Sequence, residues 1–354
     1  MENNLKFWFI QFFIVGVSLS LKAQLVSAEP KFPCYFIFGD SLVDNGNNNN
    51  LNTSAKVNYL PYGIDFPQGP TGRFTNGKNI ADLIGELLGF ENYIPPYAAA
   101  RNQDVFTGVN YGSGAAGILD ETGHQMCDLC CHIVLNKQLV NHRVMKSRLA
   151  ALVGGEKFAK QYLSKCIYTI VMGSNDYLNN YYLPQFYSSS SLYTPEEFAA
   201  ILIRQYSKQL TKLYKYGARK VAVLALGQLG CCPAEVASYG SIDSFCIETI
   251  NNAAKLFNDK LKQLLDHFNY RFADANFIYT NTATDSYGNI TNLSTPCCAL
   301  SDTGRCLAGA ITCNNRDEYM FWDGFHPTEA ANLLSAKKAY SEMSPLFTNL
   351  IDAV

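Results

Sequence analysis

Short apolar segments alternate along the chain with longer segments in which apolar residues recur every three or four positions. Four apolar segments, each bounded by glycine, asparagine or charged residues, predict buried strands at 34–38, 166–172, 221–226 and 277–279. Strands that alternate with helices indicate a parallel sheet covered by helices on both faces. The pattern therefore predicts an α/β fold.

The clearest helical pattern precedes the third predicted strand. Segment 194–197 (Thr-Pro-Glu-Glu) has the form of a capping box with proline at the first helical position, and Gly217 ends the apolar periodicity. The periodic apolar residues are Phe198, Ile201, Leu202, Leu210 and Leu213. A final helix is predicted from about Thr328.

Two motifs near opposite ends of the chain supply a serine, an acid and a histidine. The apolar segment 36–39 breaks at a glycine and places Ser41 in a polar turn, as expected where a buried parallel strand ends and a helix begins. Asp323 and His326 are close enough for a single turn to present both side chains. A serine hydroxyl becomes a nucleophile beside a base whose tautomer is fixed by a carboxylate. We therefore predict Ser41 as nucleophile, His326 as general base and acid, and Asp323 as the group that orients His326.

The predicted sheet gives these residues a common location. Open parallel sheets bind ligands beyond the carboxyl ends of their strands, and Ser41 and Asn175 each directly follow a predicted strand. The pattern Gly-x-Ser-x-Gly, which marks the nucleophile elbow of α/β-hydrolases, is absent from the sequence. The serine therefore belongs to another hydrolase architecture.

Four sequence blocks carry a family resemblance. Segment 38–48 (FGDSLVDNGNN) resembles the first signature of the plant GDSL esterase/lipases, which are SGNH hydrolases. Three further blocks are similar to that family in order and spacing, at 108–117, 173–177 and 323–328. The resemblance implies a three-layer α/β/α, flavodoxin-like fold with a mainly parallel sheet. It also implies hydrolysis of carboxylic esters through an acyl-enzyme, without metal or cofactor.

The resemblance also implies an oxyanion hole, formed by the Asn175 side chain and by backbone amides of Ser41 and the glycine-rich turn. In that turn the donor is either Gly114 or Ala115. The structural alternatives are a helix cap for Ser41, a turn residue for Asn175 and a tight bend for Gly114.

Other acids near these motifs are predicted to be structural. Asp40 and Asp176 suggest a two-carboxylate glycosidase, but Asp40 is better explained as a helix cap or as the anchor of the asparagine-rich turn that follows it. Asp44, Asp176 and Arg73 match family positions and are assigned no chemistry.

The cysteines indicate an oxidising compartment, because all twelve follow the predicted signal peptide. Six of them are predicted to staple loops near the active face, with partners left open: Cys231, Cys232, Cys297, Cys298, Cys306 and Cys313. Segment 123–132 departs from the family, and its residues Cys127, Cys130, His124 and His132 have nearly a zinc-site composition. Disulfides are favoured there over a metal. His142 and His267 are predicted to lie on the surface.

Lys6, the apolar stretch 7–21 and small residues at 26–28 predict a signal peptide, residues 1–28, with cleavage after Ala28 or alternatively after Ala23. The stretch is short for a membrane anchor, which needs roughly 20 apolar residues. Residues 29–354 are predicted to form one domain of a secreted protein of the apoplast or cell wall. N-glycosylation is predicted at the sequons of Asn52, Asn289 and Asn292.

Composition limits the kinds of binding partner that the sequence predicts. With 48% hydrophobic and 13% aromatic residues the chain can form a large core, and its formal charge of −2 gives no electrostatic reason to expect nucleic acid as a partner. The substrate stays open among lipid, acetylated polysaccharide, cutin-like and specialised-metabolite esters. Acyl transfer, thioester or amide hydrolysis, and a catalytically silent wall-binding or defence protein are the alternative functions. The tyrosine-rich segment 177–193 is predicted to form either a substrate lip or a structural cluster.

Overall fold

The computed structural model describes residues 30–126, 132–241, 244–282 and 286–347. Four parallel strands form the main sheet in the spatial order β1 (Tyr35–Gly39), β2 (Ile167–Val171), β3 (Lys220–Leu224) and β4 (Asn276–Thr280). The extended segment 107–111 pairs with the other edge of β1, since the Tyr35 and Ile37 amides donate to the Thr107 and Val109 carbonyls. Counting this segment, the order is 2-1-3-4-5, as in flavodoxin-like folds. The predicted strands are confirmed, with ends that differ by at most two residues.

Seven helices of at least seven residues cover the sheet or connect its strands in the described part of the chain: α1 (Ile80–Leu87), α2 (Leu135–Val153), α3 (Glu156–Leu163), α4 (Pro195–Tyr216), α5 (Pro233–Tyr239), α6 (Glu248–Arg271) and α7 (Glu329–Glu342). Helix α4 has the predicted ends, with a complete capping box between Thr194 and Glu197 and Gly217 at its C-cap. Helix α7 follows Thr328, whose hydroxyl accepts from the Ala331 amide.

The sheet is the middle of three layers. Successive side chains of a strand point to opposite faces, so β1 directs Phe36 and Phe38 to one side and Tyr35 and Ile37 to the other. The first side packs against α2, α4 and α6, whereas the second packs against α1 and α7. The predicted three-layer α/β/α fold is confirmed.

A second sheet of two strands pairs β5 (Asn292–Pro296) with β6 (Tyr319–Phe321). Its apolar cluster surrounds the fully buried Trp322. The disulfides in the described residues are Cys34–Cys166, Cys231–Cys246, Cys297–Cys313 and Cys298–Cys306. The prediction that Cys232 staples a loop is wrong, because its thiol is free and buried. The adjacent Cys231 takes the available partner, Cys246.

The surface prediction for His142 is also wrong. His142 lies in the core, where its ring contacts Phe36 and Phe38 edge-on at centroid distances of 5.0 and 5.4 Å. Burial lowers the pKa of His142 to about 3, so the ring is neutral and shares a 3.1 Å hydrogen bond with the Tyr111 hydroxyl. The polar residues of α2 suggested an exposed helix face, but Gln138, one turn before His142, is buried as well. His267 is exposed, as predicted.

Some predictions concern residues that the structure does not describe, and others concern the surface. The predicted signal peptide, Cys127, Cys130 and Cys131 lie outside the described residues. Asn52 and Asn289 are exposed and Asn292 is half-buried. In the ranges that the structure describes, no helix is both long and apolar enough to cross a membrane.

Candidate active site

Ser41 lies in a tight turn directly after β1. Gln138 of α2 holds the end of the strand, because its amide nitrogen donates to the Gly39 carbonyl at 2.7 Å and its oxygen accepts from the Gly39 amide at 3.0 Å. The prediction of a helix start at Ser41 is wrong. Asp40 instead closes a turn, since its side chain accepts from the Leu42 amide at 3.0 Å and its carbonyl accepts from the Val43 amide at 3.2 Å.

The three residues proposed from the sequence are in hydrogen-bond contact. Ser41 Oγ lies 2.8 Å from His326 Nε2, and His326 Nδ1 lies 2.9 Å from each carboxylate oxygen of Asp323. The loop that carries the acid and the base is closed by a 2.7 Å bond from the Trp322 amide to the His326 carbonyl. A short loop therefore fixes both side chains above the end of β1.

Asp323 is fully buried but well supplied with hydrogen bonds. Its Oδ1 accepts from the Phe325 and His326 amides, both at 2.8 Å, and its Oδ2 accepts from the Tyr62 hydroxyl at 2.6 Å. Burial by itself raises the pKa of Asp323, yet the charge of His326 and these hydrogen bonds bring it below its ordinary value. The carboxylate is therefore ionised at neutral pH.

Tyr62 is a site residue that the sequence analysis missed. Besides donating to Asp323, its hydroxyl accepts from the Cys306 amide at 3.0 Å, so both its proton and a lone pair are used. No sequence pattern links Tyr62 to Asp323, because the two residues are 261 positions apart and meet only through the fold.

Asn175 follows β2 and lines the same cleft as Ser41 and His326. Its Nδ2 donates to the Ala116 carbonyl at 3.0 Å, and its Oδ1 accepts from Asn179 at 2.7 Å. These bonds fix the amide plane and leave one of its two N–H groups available to a ligand.

The hydrogen bonds of the glycine-rich turn distinguish between its two candidate oxyanion donors, the backbone amides of Gly114 and Ala115. The Gly114 amide donates to Asp44 Oδ2 at 2.9 Å, so its hydrogen is already used. Ala115 lines the cleft with φ at 64°, and its amide donates to no described residue. Glycine is needed at 114 for space, because a Cβ there would lie 2.8 Å from atoms of Ala55, Asn48 and Phe74.

Two buried carboxylates order the loops around the cleft. Asp44 also accepts from the Gly46 and Asn47 amides at 2.7 Å, so it is Asp44, and not Asp40, that anchors the asparagine-rich turn. Asp176 accepts from the Ile118 amide at 2.8 Å. Burial raises the pKa of each of these carboxyl groups to about 6.

Asp40 is a buried carboxyl group that lines the cleft. Its Oδ2 has no partner among the described residues, and burial raises the pKa of Asp40 to about 7. A carboxyl group whose pKa is raised in the native state stabilises the fold below its unfolded pKa, near 4, and that contribution is lost as the pH rises through about 7.

The Asp40→Asn variant, which cannot ionise, is therefore expected to escape this loss. We expect its free energy of unfolding to exceed that of the wild type by about 2 kcal/mol at about pH 8, with no gain at about pH 4. Urea unfolding across this pH range measures the difference. The exposed Asp317→Asn serves as control, and an equal gain for Asp40→Asn at both ends of the range would contradict the assignment.

The tyrosine-rich segment and the two histidines of segment 123–132 make contacts with other side chains of the protein. Tyr177 and Tyr181 are buried and pack on Phe198, so these two belong to a structural cluster. The rings of His124 and His132 lie 4.9 Å apart. In the described ranges no group of three or more His, Cys, Asp or Glu side chains is placed to hold a metal ion.

The serine hydroxyl is hydrogen-bonded to an imidazole, and the imidazole is hydrogen-bonded to a buried carboxylate, beyond the carboxyl ends of parallel strands. This is the arrangement of a serine hydrolase. A family model described as GDSL-like Lipase/Acylhydrolase matches residues 35–339. The chain therefore belongs to this family, as its sequence blocks indicated, and is an ester-bond hydrolase.

Relatives in Arabidopsis thaliana support this membership. The chain is 46% identical over 353 residues to GDSL esterase/lipase At1g29660, covering 96% of this chain and 95% of the relative. It is 48% identical over 330 residues to GDSL esterase/lipase At5g45670, covering 90% of each. Among solved structures it is similar to the lipase Lip_vut3 from a goat rumen metagenome, with a TM-score of 0.39 and 14% identity over 87% of this chain and 96% of that one.

Proposed function

We propose that this protein is a secreted serine esterase or lipase that cleaves carboxylic esters through an acyl-enzyme on Ser41. The observation that carries the proposal is the continuous series of contacts from Ser41 Oγ through His326 to Asp323, at 2.8 and 2.9 Å. Ser41 and His326 line a cleft with largely apolar walls, and such walls suit an acyl chain or an aromatic ring.

In the proposed reaction, Ser41 Oγ attacks the ester carbonyl while His326 Nε2 takes its proton. His326 then returns the proton to the leaving alcohol, and a water molecule resolves the acyl-enzyme by the same steps in reverse. Asp323 holds the histidine tautomer with the proton on Nδ1 and stabilises the imidazolium ion. No cofactor is needed in this scheme.

The oxyanion that forms on attack requires donors already in place. We assign this role to the backbone amides of Ser41 and Ala115 and to the free N–H of Asn175. Gly114, the other candidate in the turn, is better explained by its bond to Asp44. Its part in the site is to shape the turn that presents Ala115.

Replacing Asn175 with alanine is expected to lower kcat by about a hundredfold with little change in KM, because the lost donor acts on charge that develops only in the transition state. Steady-state kinetics on a p-nitrophenyl ester measures both constants. An unchanged kcat, or an effect that appears only as a higher KM, would show that Asn175 is not an oxyanion donor. Unfolding curves show whether the loss of its bonds to Ala116 and Asn179 has destabilised the variant.

The substrate class is tested with wild-type protein and a p-nitrophenyl ester series from acetate to palmitate. Turnover is expected, and the preferred chain length distinguishes acetyl esters from long-chain lipid esters. Added alcohols test the alternative of acyl transfer, which uses the same residues and yields a new ester. No turnover of any ester, with or without an acceptor alcohol, would favour a silent binding protein.

Secretion is proposed from the amino-terminal pattern, the disulfides and the exposed sequons at Asn52 and Asn289. Amino-terminal sequencing of protein from the extracellular fluid is expected to begin at residue 29, and treatment with an N-glycosidase is expected to lower its apparent mass. Retention of the full chain inside the cell would contradict this part of the proposal.

A further inference from the structure

One side of the cleft is formed by the disulfide hairpin, residues 298–306, which Cys298–Cys306 closes. It brings Thr303 and Arg305 into the lining of the cleft that also contains His326. Of the described side chains that line this cleft, Arg305 is the only lysine or arginine. Arg305 is half-buried as a residue, so it lies neither in the core nor fully in solvent.

The guanidinium group is held in place by its own hairpin. Arg305 donates from Nε at 3.1 Å and from Nη2 at 2.9 Å to the same oxygen, Thr303 Oγ1. No carboxylate in the described part of the chain forms a salt bridge with it. The positive charge is therefore preorganised and not neutralised by the protein.

The hairpin itself is fixed against the loop that carries the base. The Gly324 amide donates to the Gly304 carbonyl at 2.8 Å. Gly304 has φ at 73°, and a Cβ there would lie 2.6 Å from the Phe325 ring, so only glycine permits this approach. Arg305 is thus attached to the His326 side of the cleft.

The His326 side is the side of the leaving group, because the imidazole must deliver its proton to the oxygen of the departing alcohol. Ala115 and Asn175, the proposed oxyanion donors, come from different loops, after segment 107–111 and after β2. The alcohol part of an ester bound at Ser41 would therefore lie on the side of the cleft to which the hairpin contributes Arg305.

We propose that Arg305 and Thr303 form an anion-binding subsite that selects esters whose alcohol part carries a carboxylate or phosphate group. A guanidinium group matches both anions with its planar set of donors. Apolar residues of the same cleft, such as Leu229 and Phe325, lower the local polarity, and this strengthens charged hydrogen bonds. This inference rests on the proposed function and adds the substrate class to it.

The test compares matched esters. The carboxylate pair is 3-acetoxybenzoate and its neutral methyl ester, and the phosphate pair is 1-butyrylglycerol 3-phosphate and 1-butyrylglycerol. Monophenyl succinate places the anion on the acyl part instead, and phenyl butyrate is its neutral counterpart. The variants are Arg305→Gln and Arg305→Lys, with Arg204→Gln, an exposed arginine on α4, as the charge-matched control.

In wild-type protein we expect at least one alcohol-side pair to favour the anionic ester in kcat/KM. Arg305→Gln is expected to lower the ratio of anionic to neutral kcat/KM by about tenfold, mainly through KM, as for the loss of a charged hydrogen bond. Arg305→Lys, which keeps the charge without the planar fork, is expected to lose less. Arg204→Gln and the acyl-side pair are expected to show no such change. The pair that responds identifies carboxylate or phosphate as the preferred group.

Ratios that are the same in Arg305→Gln and wild type for both alcohol-side pairs would overturn the subsite, even with full ester hydrolysis. A binding measurement separates this result from failure of the proposed function. In the Ser41→Ala background, 3-hydroxybenzoate is expected to bind more tightly than 3-hydroxybenzamide, and Arg305→Gln to abolish the difference. Equal binding of these two ligands excludes a carboxylate as the preferred group, and equal binding of glycerol 3-phosphate and glycerol as well overturns the proposal. Absence of any wild-type turnover overturns only the esterase function.

Discussion

Replacing Ser41 with alanine is expected to lower kcat for ester hydrolysis by about a millionfold, to the level set by binding and the oxyanion donors alone. The physical reason is that Ser41 Oγ is the hydroxyl that lies 2.8 Å from His326 Nε2, so it is the one from which the imidazole can take a proton. Initial rates on the best p-nitrophenyl ester, with wild type and variant at matched concentrations, measure the loss.

The matched control is Ser174→Ala. Ser174 lines the same cleft but has no contact with His326 among the hydrogen bonds of the described residues, so this variant is expected to retain most of the activity. Equal unfolding midpoints show that both variants are folded. Substantial turnover by Ser41→Ala would mean that another group is the nucleophile and that the site is wrongly assigned.

Replacing Asp323 with asparagine is expected to lower kcat by about ten-thousandfold, with KM changed little. The side chain keeps its size, but the negative charge that stabilises the imidazolium ion is lost. An amide nitrogen facing His326 Nδ1 also turns the ring toward the tautomer whose Nε2 carries a proton, and such a ring cannot accept the Ser41 proton. Because the charge acts in the transition state, the loss appears in kcat.

Asp317→Asn provides the comparison for this variant, since Asp317 is an exposed acid on the same stretch of chain. It is expected to leave the kinetics as they are in the wild type. A loss of less than tenfold for Asp323→Asn would show that the His326 ring is held by other contacts and that Asp323 is mainly structural. Rates at several pH values separate a change of tautomer from a change of fold.

The sequence predicted much of the framework because its signals are local. Strand segments, the capping box at Thr194 and the helix after Thr328 depend on periodicity and on side chains a few positions apart, and all are found in the structure. Asp323 and His326 could be paired for the same reason, since one turn connects them. Ser41 joined them through the rule that parallel strands present their carboxyl ends at one edge. The catalytic roles of these residues stay a prediction.

Burial and long-range partners were decided by the tertiary structure. His142 is polar on a helix that reads as exposed, yet it lies within the aromatic core. Which adjacent cysteine pairs with Cys246 depended on how the chain brings the thiols together. These properties arise from surfaces that meet only after folding, and a local pattern does not contain them.

Within the site, too, the sequence determined some features and the tertiary structure decided others. By itself the sequence determined the serine, the histidine and the acid, together with the sheet edge on which they meet, because each is marked by its immediate neighbours. Only the tertiary structure decided that Tyr62 holds Asp323, that the Gly114 amide is taken by Asp44, and that Arg305 lines the same cleft as the base. Each of these depends on contacts between segments far apart in the chain, and the packing of the fold sets such contacts.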